Sequence, residues 1–153
     1  MIIHKISLKN FGRLDDFSAE MTGNTVGLEG KNGRGKSTVL QAIRYALTGT
    51  LDDTASSYMR DGGKHGKTSV EMEFTQKGVQ GRIVRSITAS SSSRKLYLDG
   101  ATDPITTAKE VDLKMQELLG ADQRAIAGCV FVPQGKIDEV LFGDNTERED
   151  RFQ

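Results

Sequence analysis

Two spacings of apolar residues alternate along this chain. Residues Ile2 to Leu8 mix Ile, His and Lys at β-compatible intervals, Asn10 to Asp16 reads as a turn, and a second polar and apolar stretch runs to Met21. This pattern predicts an opening β-hairpin. Thr25, Val26, Gly27, Leu28 and Glu29 form a short strand-like run that enters a glycine cluster, beyond which Leu40, Ile43 and Leu47 recur at i, i+3 and i+7. The expectation is strand, loop, helix. The helix should stop near Thr48 and Gly49, because Gly is the common residue just past a helix end.

Leu51 to Lys67 is polar and glycine-bearing without a sustained period, so it reads as a long surface loop with a short helical turn near Ser57 to Arg60. Val70, Met72 and Phe74 then alternate with Glu71, Glu73 and Thr75, which places three apolar side chains on one face of a strand. Gly78 to Gly81 is the expected turn into a strand at Arg82 to Ile87. Leu96 to Leu98 follows as a further strand after the serine tract Ser90 to Ser93, itself read as a flexible loop tip. Thr106 or Thr107 can cap a helix whose Val111, Met115, Leu118 and Leu119 share one face and which Gly120 closes. Asp122 begins another short helical stretch. Cys129 to Val132 reads as a brief strand ended by Pro133, which cannot donate to a sheet ladder. The charged tail from Asp138 to Gln153 is suited to an exposed helix.

Composition narrows the function classes. The 153 residues amount to one domain of ordinary size, and 21 basic against 21 acidic side chains give a net charge of zero, which excludes a histone-like polycation. With 36% apolar residues there is enough for one core. The 17 glycines exceed the usual share of roughly 7%, so glycine loops are expected. No apolar run approaches the roughly 20 residues of a membrane span, and Met1 to Lys9 lacks the apolar region of a secretory signal; the chain reads as soluble and intracellular. A lone Cys129 makes neither an internal disulfide nor a multi-thiolate metal site. His4 and His65 have no second ligand at metal-binding spacing and read as ordinary strand and loop residues.

The chemistry concentrates in one place. Gly30, Lys31, Asn32, Gly33, Arg34, Gly35, Lys36 and Ser37 satisfy G-x-x-x-x-G-K-[ST] in the strand-to-helix context that this phosphate loop requires. Glycines without Cβ let successive N–H groups turn inward, and the helix that follows adds unpaired N–H groups carrying about half a positive charge at its start. Lys36 is expected to reach the β- and γ-phosphates of ATP, Ser37 to ligate Mg²⁺, and Thr38 to add a contact nearer the α-phosphate. Asn32, Gly33, Arg34 and Gly35 complete the nucleotide-binding set, with Lys31 and Arg34 adding positive charge. Hydrolysis also needs a carboxylate on Mg²⁺, usually an Asp ending an apolar strand. No such strand follows the loop, and Asp138 with Glu139 reads better as the first turn of an exposed helix. The chain resembles half of an ATPase.

Three segments together carry a family resemblance: Lys9-Asn10-Phe11, the loop Gly30 to Ser37, and Val130-Phe131-Val132-Pro133-Gln134-Gly135-Lys136-Ile137-Asp138. They resemble the N-terminal ATPase lobe of the SMC-like DNA-repair proteins, bacterial SbcC and its Rad-fifty counterparts, over essentially residues 1–153. The implied fold is α/β: a P-loop NTPase of the ABC-ATPase head type, with a mixed sheet around the P-loop helix and an antiparallel β meander. The resemblance gives Gln134 the Q-loop role of sensing Mg²⁺ and the attacking water. It also implies a basic residue near the nucleotide after the Asn-Phe pair; here Gly12 takes the adjacent position and Arg13 comes one later. The segment Asp61 to Gly63 falls where relatives approach the adenosine side.

In that family the signature loop, the acidic Mg²⁺ strand and the switch His lie in a C-terminal lobe beyond a long antiparallel coiled coil, so the resemblance implies a lobe completed by such a partner, on the same or a separate chain. Further implied partners are a second head joined through ATP, a nuclease of the SbcD or Mre-eleven type, and double-stranded DNA, with a cytoplasmic, nucleoid or nuclear location and no membrane. A chromosome-organising SMC or RecF/RecN-type clamp without a nuclease is the alternative, and an ABC transporter domain fits the Asn-Phe strand poorly. Lys64, Lys67, Arg82, Arg85, Arg94, Lys95, Lys109, Lys114 and Arg124 are the basic residues that could line one DNA-facing surface.

Overall fold

A computed structural model describes residues 1–23, 25–51, 53–121 and 125–126. Five strands form one sheet: β1 (Ile2–Phe11), β2 (Leu14–Glu20), β3 (Thr68–Gln76), β4 (Val79–Ile87) and β5 (Ser92–Leu98). Their spatial order is β2-β1-β3-β4-β5, and every pairing is antiparallel. Accompanying them are the helices α1 (Lys36–Thr48), the single turn α2 (Ala55–Tyr58) and α3 (Ala108–Leu119), with a 3-10 turn at Arg60–Gly63.

The period-2 alternation decides which face is covered. Ile6, Leu8, Val70, Met72, Phe74, Ile83 and Leu96 lie on one face and are at most 1% exposed. Val39, Ala42, Ile43 and Ala46 of α1 and Val111, Met115 and Leu118 of α3 belong to the same core. Burying a large side chain of this kind contributes about 1.5–3 kcal/mol, so this face, not intrinsic helix propensity, holds α1 in place. On the opposite face charges stand in register. Lys5 is paired with Glu20 on one side and Glu73 on the other, Glu73 with Arg82, and Lys9 with Asp16. Each contact opposes unlike charges, which is favourable across strands.

Several boundaries differ from the sequence expectation. The first turn is shorter than Asn10 to Asp16, because β1 runs on to Phe11 and β2 resumes at Leu14. The β3–β4 turn is Lys77–Gly78, both at positive φ, as a two-residue hairpin loop requires. Gly81 is not a turn residue: it pairs with Phe74 inside the sheet, and the Phe74 ring occupies the place a Cβ would take. β5 begins within the serine tract, at Ser92. Thr107 is the N-cap of α3 by backbone conformation, without a side-chain cap bond. Thr25–Glu29, the expected strand before the phosphate loop, takes no ladder partner among the described residues. Its Val26 is 45% exposed. The expected strand at Cys129 to Val132, the helix from Asp122 and the charged tail lie outside the described residues, as does Gln134.

Candidate functional site

The site is built where β1, the β1–β2 turn and the start of α1 meet. The last residue but one of β1, Asn10, adopts φ 51, a left-handed conformation that Asn tolerates better than most residues. Its side-chain Nδ2 donates to the carbonyls of His65 at 3.0 Å and Lys67 at 3.3 Å, while Thr68 Oγ1 donates to the Asn10 carbonyl at 2.9 Å. Phe11 is fully buried, its ring 5.7 Å from that of Tyr58 and 6.3 Å from that of Tyr45. The Asn-Phe pair therefore pins both ends of the 58–67 segment under the hairpin. Gly12 N–H donating to Tyr58 O at 2.7 Å and the 2.6 Å ion pair Arg60–Asp15 tie the same segment to the turn. That pair holds the Asp15 carboxyl below its ordinary pKa, chiefly through the hydrogen bond from Arg60.

α1 opens at Gly35, in a left-handed conformation with φ 95, and no side chain caps it. Its first intrahelical bond is Val39 N–H to Gly35 O at 3.0 Å. The amides before Val39 thus have no helical acceptor and are available to an anion. They border a cavity of about 440 Å³ lined by Arg13, Asn32, Gly33, Gly35, Lys36, Ser37 and Thr38. The volume is within the range of roughly 300–1,000 Å³ typical for small-molecule sites. Lys36 Nζ is folded across the loop, donating to the carbonyls of Gly30 at 2.6 Å and Lys31 at 3.1 Å.

Of the expected catalytic, nucleotide-binding and metal-binding residues, Arg13, Asn32, Gly33, Gly35, Lys36, Ser37 and Thr38 thus gather around one cavity, and Arg34 and Gln134 are not among its lining. Arg13 reaches over the loop, its Nη1 3.5 Å from where a Cβ on Gly33 would project. Arg34 does not line the cavity; its amide donates to Lys31 O at 3.3 Å and closes the loop turn. Gln134 lies outside the described residues. The lining is suited to a triphosphate, offering backbone amides, hydroxyls and two cationic side chains. For Mg²⁺ the lining offers the Ser37 and Thr38 hydroxyls and the Asn32 side-chain amide oxygen, and it includes no carboxylate. The Asp61–Gly63 stretch stands beside the hairpin turn and does not line the cavity; Asp61 Oδ2 is 2.8 Å from His65 Nε2.

Of the basic residues considered for DNA, Arg85 is buried and three others are held in ion pairs. Arg85 is 2% exposed and donates from Nε to Ala46 O at 2.9 Å, at the C-terminal end of α1. Burial pushes its pKa down, while Asp112, 3.6 Å away, partly restores it. Arg94 also faces Asp112 at 3.6 Å, Arg82 pairs with Glu71 and stacks over Tyr97, and Lys114 pairs with Glu117. Arg124 lies outside the described residues. Asn10, Phe11 and Leu14 were missed as parts of the site. A residue tolerant of positive φ just before the buried aromatic was the available signal for Asn10 and Phe11.

The fold and this loop define an ATPase-type domain, and residues 5–153 match the family described as AAA domain; the chain belongs to that family. Among its relatives, the DNA double-strand break repair Rad50 ATPase of Halobacterium salinarum is 28% identical over 95% of this chain, and the protein of that name from Thermoplasma acidophilum is 31% identical over 97%. The chain spans 17% of the length of each of these relatives. A structure solved in work on ATP-driven dimerization and DNA-stimulated activation of SMC ATPases superposes with a TM-score of 0.75 at 21% identity, covering 99% of this chain and 98% of that one. An SMC head bound to the C-winged helix domain of ScpA gives the same TM-score and identity, covering 99% of this chain and 49% of that one. The fold is that of an SMC-type head lobe, in line with the sequence resemblance to the Rad50 group. Among the described residues no helix is long and apolar enough to cross a membrane.

Proposed function

We propose that this chain is the ATP-binding lobe of a DNA-repair ATPase head that hydrolyses ATP only when a C-terminal lobe completes it. The observation that carries this reading is the cavity at the start of α1: uncapped helix amides and glycine-loop backbone, with Lys36 and Arg13 converging from two sides and no acid in the lining. Lys36 and Arg13 take the phosphates, Ser37 offers its oxygen to Mg²⁺, Thr38, Asn32 and Gly33 border the nucleotide, and Arg34 adds charge at the rim. The carboxylates that Mg²⁺ and water require come from the complementary lobe, on the same or another polypeptide. The unpaired run Thr25–Glu29 and the half-exposed Val26 and Leu40 are suited to such a neighbour. Gln134 acts on the metal and the attacking water once the lobes are joined.

ATP joins two such heads, and a γ-phosphate that binds the closed pair more tightly than the open one drives the switch. An associated nuclease of the SbcD or Mre-eleven type and double-stranded DNA are the partners this reading implies. The names of the Rad50 relatives favour repair. A chromosome-organising or RecF-like clamp is the second reading, favoured by the fold likeness to SMC heads and to RecF, which superposes with a TM-score of 0.58. Copurification of a nuclease with the complete protein separates the two.

The test begins with titration of ATP into the chain and its Lys36→Ala variant. The variant should lose binding, and equal affinity overturns the assignment. In the completed head, Gln134→Ala should keep ATP affinity and slow turnover. A binding loss as large as that of Lys36→Ala would contradict its role.

A further inference from the structure

The β1–β2 turn meets the phosphate loop residue by residue. A Cβ on Gly12 would lie 2.8 Å from Thr38 Cγ2, Arg13 Nη1 stands over Gly33, and a Cβ on Gly35 would lie 2.8 Å from Leu14 Cδ2 and 3.2 Å from Leu14 Cγ. Three consecutive residues, Gly12 and Arg13 of the turn and Leu14 at the start of β2, thus each approach one residue of the loop or of the first turn of α1. Of the three, Leu14 has no polar group for a nucleotide and does not line the cavity. Its isobutyl group instead fills the space beside the Gly35 α-carbon, at the position where the chain passes through its left-handed bend into α1.

We infer that Leu14 is a positioning residue for phosphate binding: it braces Gly35 and so fixes the amides that open α1 toward the cavity. This inference rests on the phosphate-site reading above. The bend at Gly35 is shallowly held by its own chemistry, since a residue without Cβ has the widest choice of backbone angles. A rigid contact from outside narrows that choice before the ligand arrives, and ordering already complete is ordering the ligand need not induce. β2 is anchored through its ladder to β1, from Phe11↔Leu14 to Lys5↔Glu20, so the brace stands on the sheet and not on a loop. The close approach of Gly12 to Thr38 gives the first turn of α1 a second contact with the same hairpin.

The experiment compares binding of ATP and of inorganic tripolyphosphate by the 153-residue chain and its Leu14→Ala, Leu14→Met, Ile105→Ala and Lys36→Ala variants, well below each unfolding midpoint. Ile105 is partly buried and pairs with Leu96 beside β5, so its truncation matches the apolar loss of Leu14→Ala away from the loop. Leu14→Ala should weaken both ligands about ten-fold. Leu14→Met, which restores volume, should recover most of that loss, and Ile105→Ala should bind as the parent does. If Lys36→Ala loses binding while Leu14→Ala binds like the parent, or like Ile105→Ala, the brace is refuted and the phosphate site stands. If the parent fails to bind, or Lys36→Ala binds equally well, the phosphate site itself fails and the inference with it. Should Leu14→Ala not fold, Leu14→Val and Leu14→Met decide, an affinity loss graded with the missing volume supporting the brace and equal affinities overturning it.

Discussion

The two ends of α1 receive opposite treatment from one short helix. At its C-terminal end the carbonyl of Ala46 accepts a bond from the buried Arg85, and Gly49, in the left-handed conformation, returns its N–H to Tyr45 O at 2.8 Å. Both devices satisfy carbonyls that the helix leaves free, and the guanidinium also suits the negative end of the dipole. At its N-terminal end there is no side-chain cap and no acid in the first turn, and Lys36 places a positive charge where the dipole disfavours one. Stability is concentrated at one end and binding capacity at the other. A cap at Gly35 would stabilise the helix and occupy the donors the site requires.

Variants at the two ends should therefore fail in different assays. The largest effect is expected for Arg85→Leu, which strips the buried Ala46 O of its charged donor and removes one of the two cations beside Asp112, leaving Arg94; losing a buried charge-assisted hydrogen bond costs up to about 3 kcal/mol, read by urea unfolding. The ATP affinity of the folded fraction should stay close to that of the parent, and a large affinity loss would erase the distinction between the ends. Lys36→Ala should lower ATP affinity at least about 100-fold, or about 2.7 kcal/mol, with an unfolding midpoint equal to or slightly above that of the parent. A clear fall in the midpoint would mean that Lys36 also supports the fold.

Gly49→Ala sharpens the contrast at the sealed end. A Cβ there would lie 2.6 Å from Arg85 Nη1 on a backbone at φ 72, and the cost should be about 1.5 kcal/mol, with binding unaffected. The smallest effect belongs to the Arg60–Asp15 pair beside the open end. Because the folded pKa of Asp15 lies below its ordinary 3.8, its contribution is present above that value and fades as pH falls through the lower folded pKa. The urea midpoint of the parent should thus show a small decline in acid that Asp15→Asn lacks. Identical curves would remove the pair from the account.

Much of this arrangement was legible before any coordinates, for reasons that differ by element. Val70, Met72 and Phe74 announced a covered strand because sheet geometry forces alternation, and Gly49 and Gly120 marked helix ends because few other residues enter the left-handed conformation there. The phosphate loop was legible because its chemistry needs glycines at fixed spacing next to one Lys and one hydroxyl. Gly81 was misplaced, since a glycine that starts a turn and one that receives a neighbouring ring look alike in sequence. Thr25–Glu29 has the composition of a strand, but a strand exists only with a ladder partner, and none is supplied by the described residues. Arg85 looked like surface charge because its two partners, Ala46 and Asp112, are 39 residues before it and on a helix well after it. Leu14 could not be singled out, because only the fold brings it against Gly35.

The charge register of the outer sheet face has a consequence for encounter. Unlike charges that confront each other across neighbouring strands cancel within a few ångströms, so that broad face projects little field into solution, and less once ordinary salt screens it over about 10 Å. Arg13 and Lys36 at the cavity, with Lys31 and Arg34 in the adjoining loop, make the opposite case. A diffusing polyanion is thus guided to the opening at the head of α1, and its rate of arrival should fall as ionic strength rises.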